Sequence, residues 1–134
     1  MATEAQPLEP VDVEELLSRD ISTDACPAQP PPVPESLGGT LPLAMVERDG
    51  GTRLNAVVDS HNVTVSVWAG TWADAMREAN RIAGAIARLP MEPGASTQWR
   101  TATITLLPFN APDSAHPTIP RVQLAASVTC RATT

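Results

Sequence analysis

The sequence predicts an α+β fold: a mixed or antiparallel sheet of about five strands, one main helix packed on one face of it, and a short N-terminal helix. Three observations lead there. Val63, Val65, Val67 and Ala69 alternate with Thr64, Ser66 and Trp68, a period of two that lays a β-branched apolar row along one face of a strand. From Ala73 the period becomes helical, with Met76, Ala79, Ile82, Ala83, Ile86 and Leu89 on one stripe and Arg77, Glu78, Asn80, Arg81 and Arg88 elsewhere. Further alternating runs flank this unit on both sides, so the other strands must assemble around it.

Taken in order, Met1 to Gln6 is expected to be disordered, and Pro7 to Ile21 reads as a short amphipathic helix with Val11 or Val13, Leu16, Leu17 and Ile21 on one side. Asp12, Glu14 and Glu15 near its start suit the positive end of the helix dipole. Ser22 to Gly39 reads as an extended connector stiffened by Pro27, Pro30, Pro31, Pro32 and Pro34, either a linker or an arm lying on a neighbouring subunit. The domain division that follows is an acidic helix and Pro-rich arm over 1–36 and an α+β body over 37–134. All the predicted core strands lie beyond Leu41, so a chain without 1–36 is expected to keep a folded body.

Leu41 to Glu47 is the first strand, and Arg48-Asp49-Gly50-Gly51 the hairpin turn. Arg53 to Asp59 returns, and Ser60-His61-Asn62 turns into the central strand. Gly70 ends that strand, Thr71 is placed to cap the helix with Asp74 three residues on, and Pro90 stops it. Ala75, Ala79, Ala83 and Ala87 form a smooth ridge that lets the helix approach either a sheet or another subunit closely. Gln98 to Leu107 puts Ala102, Ile104 and Leu106 opposite Thr101, Thr103 and Thr105; a Pro-rich loop spans 108–120. Arg121 to Arg131 closes the sheet with Val122, Leu124, Ala126, Val128 and Cys130 inward.

Length and composition narrow the function. With 134 residues, one domain is expected, and its core must be built from Val, Leu, Ile and Ala, because there are three Trp, one Phe and no Tyr. All nine basic residues are Arg; without Lys there is no Schiff-base or phosphate-loop lysine chemistry. Residues 1–35 hold eight acids against Arg19, while 36–134 hold seven acids against eight Arg. An acidic arm on a near-neutral body does not capture a DNA backbone. Cys26 and Cys130 lack metal or redox spacing and are expected to be reduced thiols, Cys130 in the core. No apolar run approaches the ~20 residues of a membrane span.

Sites for chemistry are sparse. Asp59 and His61 sit two apart and on a strand would share a face, so a metal or acid–base site from Asp59, His61 and His116 can be written; the alternative is two solvated turn histidines. Asp113 reads as a turn-forming side chain. No cofactor or metal is expected. Interaction surfaces are better represented: Trp68 opposite the Val row and Trp72 on the helix's first turn, for both of which burial under the helix and the arm is the alternative, the loop 108–120 with Asp113 and His116, and the Arg48–Gly51 tip. The helix ridge at Ala79 and Ala83, flanked by Arg77 and Arg81, completes the candidate interface.

Leu41-Pro42-Leu43-Ala44-Met45-Val46-Glu47-Arg48-Asp49-Gly50-Gly51 resembles the strand and Gly-Gly turn of small neck proteins of long-tailed bacteriophages. Val63 to Ala69 followed by Thr71-Trp72-Ala73-Asp74-Ala75, and Pro120-Arg121-Val122-Gln123-Leu124 to Val128-Thr129-Cys130-Arg131, are similar to further segments of the same family, the siphophage tail terminators, most like those of phages infecting actinobacteria. Val122 departs from the pattern, which has an aromatic there, and the Pro-rich segment 27–34 is longer than the pattern requires. The resemblance spans roughly Leu37 to Arg131. It implies a non-enzymatic virion protein, made in host cytoplasm, that forms a homohexameric ring on the last ring of tail tube protein, ends tail growth and meets the head-completion proteins. DNA would only pass through the lumen, and no membrane is involved. A head–tail stopper or adaptor is the near alternative; a small enzyme or ligand-binding domain using Asp59, His61 and His116 is the distant one.

Overall fold

The computed structural model describes residues 8–133; the expected disorder of Met1–Gln6 and the helix start at Pro7 lie outside them. The first helix, α1 (Val13–Ile21), begins later than the apolar pattern suggests because Asp12 caps it, its carboxylate accepting from the Glu15 N–H. A two-residue strand, β1 (Ala28–Gln29), follows, and a turn of 3₁₀ helix over Leu37–Gly39 leads into β2 (Leu43–Arg53). Then come β3 (Val58–Trp68), α2 (Trp72–Arg88), β4 (Trp99–Asn110) and β5 (Arg121–Arg131). The five strands form one mixed sheet in the order β1-β2-β3-β5-β4, parallel only between β1 and β2. Among the described residues no helix is long and apolar enough to cross a membrane.

The strand-to-helix unit forms as its periodicity requires. Val63, Val65 and Val67 are buried on the helix-bearing face, and Thr71 caps α2 by accepting from the Asp74 N–H. On β5, Val122, Leu124, Ala126, Val128 and Cys130 are all buried. The sheet contributes these rows, α2 contributes Ala75, Ala79, Ile82, Ala83 and Ile86, and α1 adds Val13, Leu17 and Ile21 to the same core. Both helices therefore cover one face. The opposite face carries a smaller cluster of Leu37, Leu43 and Trp68 at one end of the sheet.

Two expectations about the chain's first half are overturned. Arg48-Asp49-Gly50-Gly51 is not a hairpin tip but a bulge inside β2: Arg48 pairs with Val63 and Gly50 with Asn62, leaving Asp49 extra. The reversal lies further on, where Asn55 Oδ1 accepts from the backbone N–H groups of Val57 and Val58. Consequently Ser60-His61-Asn62 is not a turn; it is the first half of an unbroken β3. Gly-Gly fits a bulge as well as a turn: Gly50 has φ 127°, and a Cβ on Gly51 would lie 2.0 Å from the Ser60 carbonyl oxygen. Nor is the segment after α1 a free connector. The Ala44 N–H donates to the Pro27 carbonyl beside the β1 pairing, and Cys26 and Leu37 are buried. The 1–36 segment, over its described part, is packed on the body.

Candidate interaction surface

The bulge at Asp49 decides what the polar end of the helix-bearing face contains. Arg48 and Arg53 are five residues apart, so an unbroken strand would put them on opposite faces. The extra residue returns both to one face, where each meets a partner from β3. Arg53 grips Asp59 with two bonds, Nε–Oδ1 at 2.6 Å and a second terminal-nitrogen bond to Oδ2 at 3.1 Å, and also donates to the Leu8 carbonyl. Arg48 Nε donates to His61 Nδ1 at 2.8 Å.

A guanidinium has only donors, so Nδ1 accepts and the neutral ring carries its proton on Nε2. His61 is fully buried, and Nε2 finds no hydrogen-bond partner among the described residues. Burial first, and the Arg48 charge second, hold the His61 pKa below its ordinary value, against the opposing pull of Asp59. The Arg53 hydrogen bonds hold Asp59 below the usual carboxylate range. Across the sheet, burial and the Asp59 charge push the Cys130 thiol up to about 11, so it is a packed hydrophobe and not a nucleophile. An open cleft of about 310 Å³ beside this cluster is lined by Leu8, Pro10, Gly51, Thr52, Ser60, the two arginines and Asp59.

His116 is elsewhere. It lies in the loop before β5, where its Nδ1 is 3.0 Å from Asp113 Oδ2, and the same oxygen accepts from Trp68 Nε1 at 3.1 Å. Asp113 Oδ1 accepts from the Ala115 N–H, and Arg121 reaches across to the Ala111 and Pro112 carbonyls. These bonds offset the burial of Asp113 and leave its pKa lowered. Trp68, which binds this group, is seven residues from His61 along β3, roughly 23 Å at the rise of a strand. The three-residue site of Asp59, His61 and His116 is therefore not assembled: the first two join a buried ion-pair cluster, and the third helps clamp a loop at the far end. The reading of both histidines as solvated also fails for His61.

The expected interface residues divide sharply. Ala79 and Ala83 face the chain's own sheet and are buried, so the smooth ridge serves packing within one copy. Trp68 is 2% exposed and Asp113 and His116 are tied to it, so none of the three is an open surface. Arg48 is committed to His61, and Arg81 binds Glu78 and the Ile21 carbonyl. What remains at the surface is Arg48, exposed although bonded to His61, Trp72, 41% exposed on the first turn of α2, and Arg77, paired with Asp74.

A run of exposed large apolar side chains was not among the expectations. Leu106, Leu107 and Phe109 are 55%, 75% and 41% exposed on β4, an edge strand. Leu106 was expected to share a face with Ala102 and Ile104. The register instead slips between Ile104 and Leu106, pairing Leu106 with Ala125 and Phe109 with Gln123, both on the face away from the helices. The signal was present: Leu106-Leu107 breaks the alternation, and two adjacent apolar residues in a strand cannot both point inward. Compared with known proteins, the chain matches no family model, and no curated protein matches it in sequence.

Proposed function

We propose that this chain is a structural ring subunit, a tail terminator that caps the last ring of a phage tail tube, ends its growth and presents a surface to the head-completion proteins. The observation that carries this reading is the uncovered apolar edge of β4. A strand edge with three large exposed apolar side chains is a liability in a solitary protein and a contact surface in an assembling one. The segments that resemble terminators support it: they fall on β2, on the β3–α2 unit and on β5, the three inner strands of the sheet and its main helix.

Light scattering of the purified chain, with and without tail tube protein, tests the proposal. A hexameric mass alone, or a ring that forms only on tube ends and halts their growth, is the expected result. A monomer indifferent to tube protein overturns it and favours a head–tail stopper. Turnover lost in His61→Ala with assembly intact would favour an enzyme instead.

A further inference from the structure

We infer that Arg48 and the cleft beside it bind a single carboxylate group, with His61 holding the guanidinium in position. The two arginines of the bulged strand are finished differently. Arg53 closes on Asp59 through two bonds, so that pair carries no net charge. Arg48 donates its Nε to His61 Nδ1 at 2.8 Å, and a neutral imidazole accepts that bond without cancelling the charge. Among the described residues Arg48 enters no ion pair, and its two terminal nitrogens have no hydrogen-bond partner.

This guanidinium is anchored but not neutralised. His61 is 0% exposed, while Arg48 is at the surface and lines the cleft of about 310 Å³. The bond to a buried ring fixes the planar group before any ligand arrives, which removes ordering cost from binding. The fork of the two terminal nitrogens is left for an incoming oxyanion.

Charge sets the ligand class. The residues lining the cleft include Arg48 and Arg53 against Asp59 alone, so one negative charge completes them. A phosphate dianion would overshoot that balance beside Asp59, and also near Glu14, whose carboxylate accepts from the Arg48 backbone N–H at 2.9 Å. Leu8 and Pro10 give the body of the ligand an apolar wall. The class is a monocarboxylate with a short apolar body, supplied as a free acid or as the carboxyl end of a polypeptide. A second arginine-bearing cleft shows the contrast: Arg19 and Arg88 there face Asp20 and Glu92, and the charges balance. The carboxylate site and the ring reading do not depend on each other.

Nuclear magnetic resonance of the nitrogen-15-labelled full chain tests the site near pH 7.5, with ionic strength held constant by chloride. Butanoate is expected to shift the Arg48 Nε–H and the His61 ring nitrogens saturably, with a Kd of about 1–10 mM. Arg48→Gln is expected to weaken binding about tenfold or more, with circular dichroism and melting checking its fold. His61→Gln keeps a neutral acceptor and is expected to bind within about threefold of wild type, whereas His61→Glu keeps an acceptor but cancels the charge and is expected to abolish binding. N-acetylleucine and its amide separate the two sources. Tighter binding of N-acetylleucine than of butanoate, lost in the amide, upholds the site and assigns it to a chain end; the reverse order upholds it and assigns a free acid. No saturation by about 100 mM butanoate, wild-type affinity in Arg48→Gln or in His61→Glu, or inorganic phosphate binding tighter than butanoate overturns it. If Arg48→Gln does not fold, the wild-type titration decides: shifts confined to Arg48, Gly51, Arg53 and His61 uphold the site, and shifts centred on Arg19 or Arg88 overturn it.

Discussion

His61 and Asp59 show how a pair that reads as chemistry can be spent on structure. The ring must stay neutral to accept from Arg48, and it is buried, so its folded-state pKa lies below that of the unfolded chain. The sign follows: the unfolded state binds the proton first, so stability is complete above about 6.5 and falls as pH drops below that value. Asp59 acts lower, its contribution present above the ordinary carboxylate pKa near 4 and lost as pH falls through its depressed value. Thermal melting at pH 7.5 and pH 5 is expected to show a drop that His61→Gln diminishes; an unchanged drop in that variant would refute the assignment. Gly51 is the second position where a single atom matters. Its missing Cβ lets β2 pass the Ser60 carbonyl, so Gly51→Ala is expected to cost about 3 kcal/mol or more, read by urea unfolding. A cost below about 0.5 kcal/mol would mean the strand shifts freely there.

Among the elements, α1 changes most in standing between sequence and structure. Its Val13, Leu17 and Ile21 are all under 2% exposed and belong to the principal core. At roughly 1.5–3 kcal/mol for each buried aliphatic side chain, their loss removes about 5–9 kcal/mol, comparable to the 5–15 kcal/mol that stabilises a whole domain. Asp20 adds a tie from the end of α1 to the start of β4, accepting from Trp99 Nε1 at 2.6 Å and from the Ser96 N–H and hydroxyl. Deletion of residues 1–36 is therefore expected to abolish cooperative melting, contrary to the reading that placed the whole core beyond Leu41. Leu17→Ala alone is expected to cost about 2–5 kcal/mol in urea unfolding; a value under 1 kcal/mol would show that α1 is only loosely docked. The α2 ridge changes role in the same way. A charge at Ala79 would strike the sheet and unfold the chain, so it is no test of assembly.

For the molecule as a whole, the fold is a half-covered sheet. Helices bury one face, the Leu37–Leu43–Trp68 cluster closes one end of the other, and a Ser- and Thr-rich stretch including Ser60, Thr64, Ser127 and Thr103 lies between. Assembly is expected to leave this scaffold unchanged and to use the apolar outer half of β4. Association of copies is therefore expected to persist at about 0.5 M ionic strength, where charge attraction reaches only a few ångströms. Association lost at that salt would mean that charge, not apolar burial, joins the copies.

The sequence by itself determined the α+β class, the β3–α2 unit, the Thr71 cap, the inward row of β5 and the acidic N-terminal half, because each follows from a local period or a local count. A separation of two puts Asp59 and His61 on one face only if both lie on a strand, and the sequence read His61 as part of a turn; the unbroken β3 decided it. Tertiary structure alone decided that Gly50-Gly51 makes a bulge and not a turn, a choice between two conformations that glycine serves equally well. It also decided that Arg48 and Arg53 share a face, that α1 completes the core and that Leu106 turns outward. Those outcomes depend on how one strand registers against another, and register is set by the packing of the whole sheet rather than by any residue's neighbours along the chain.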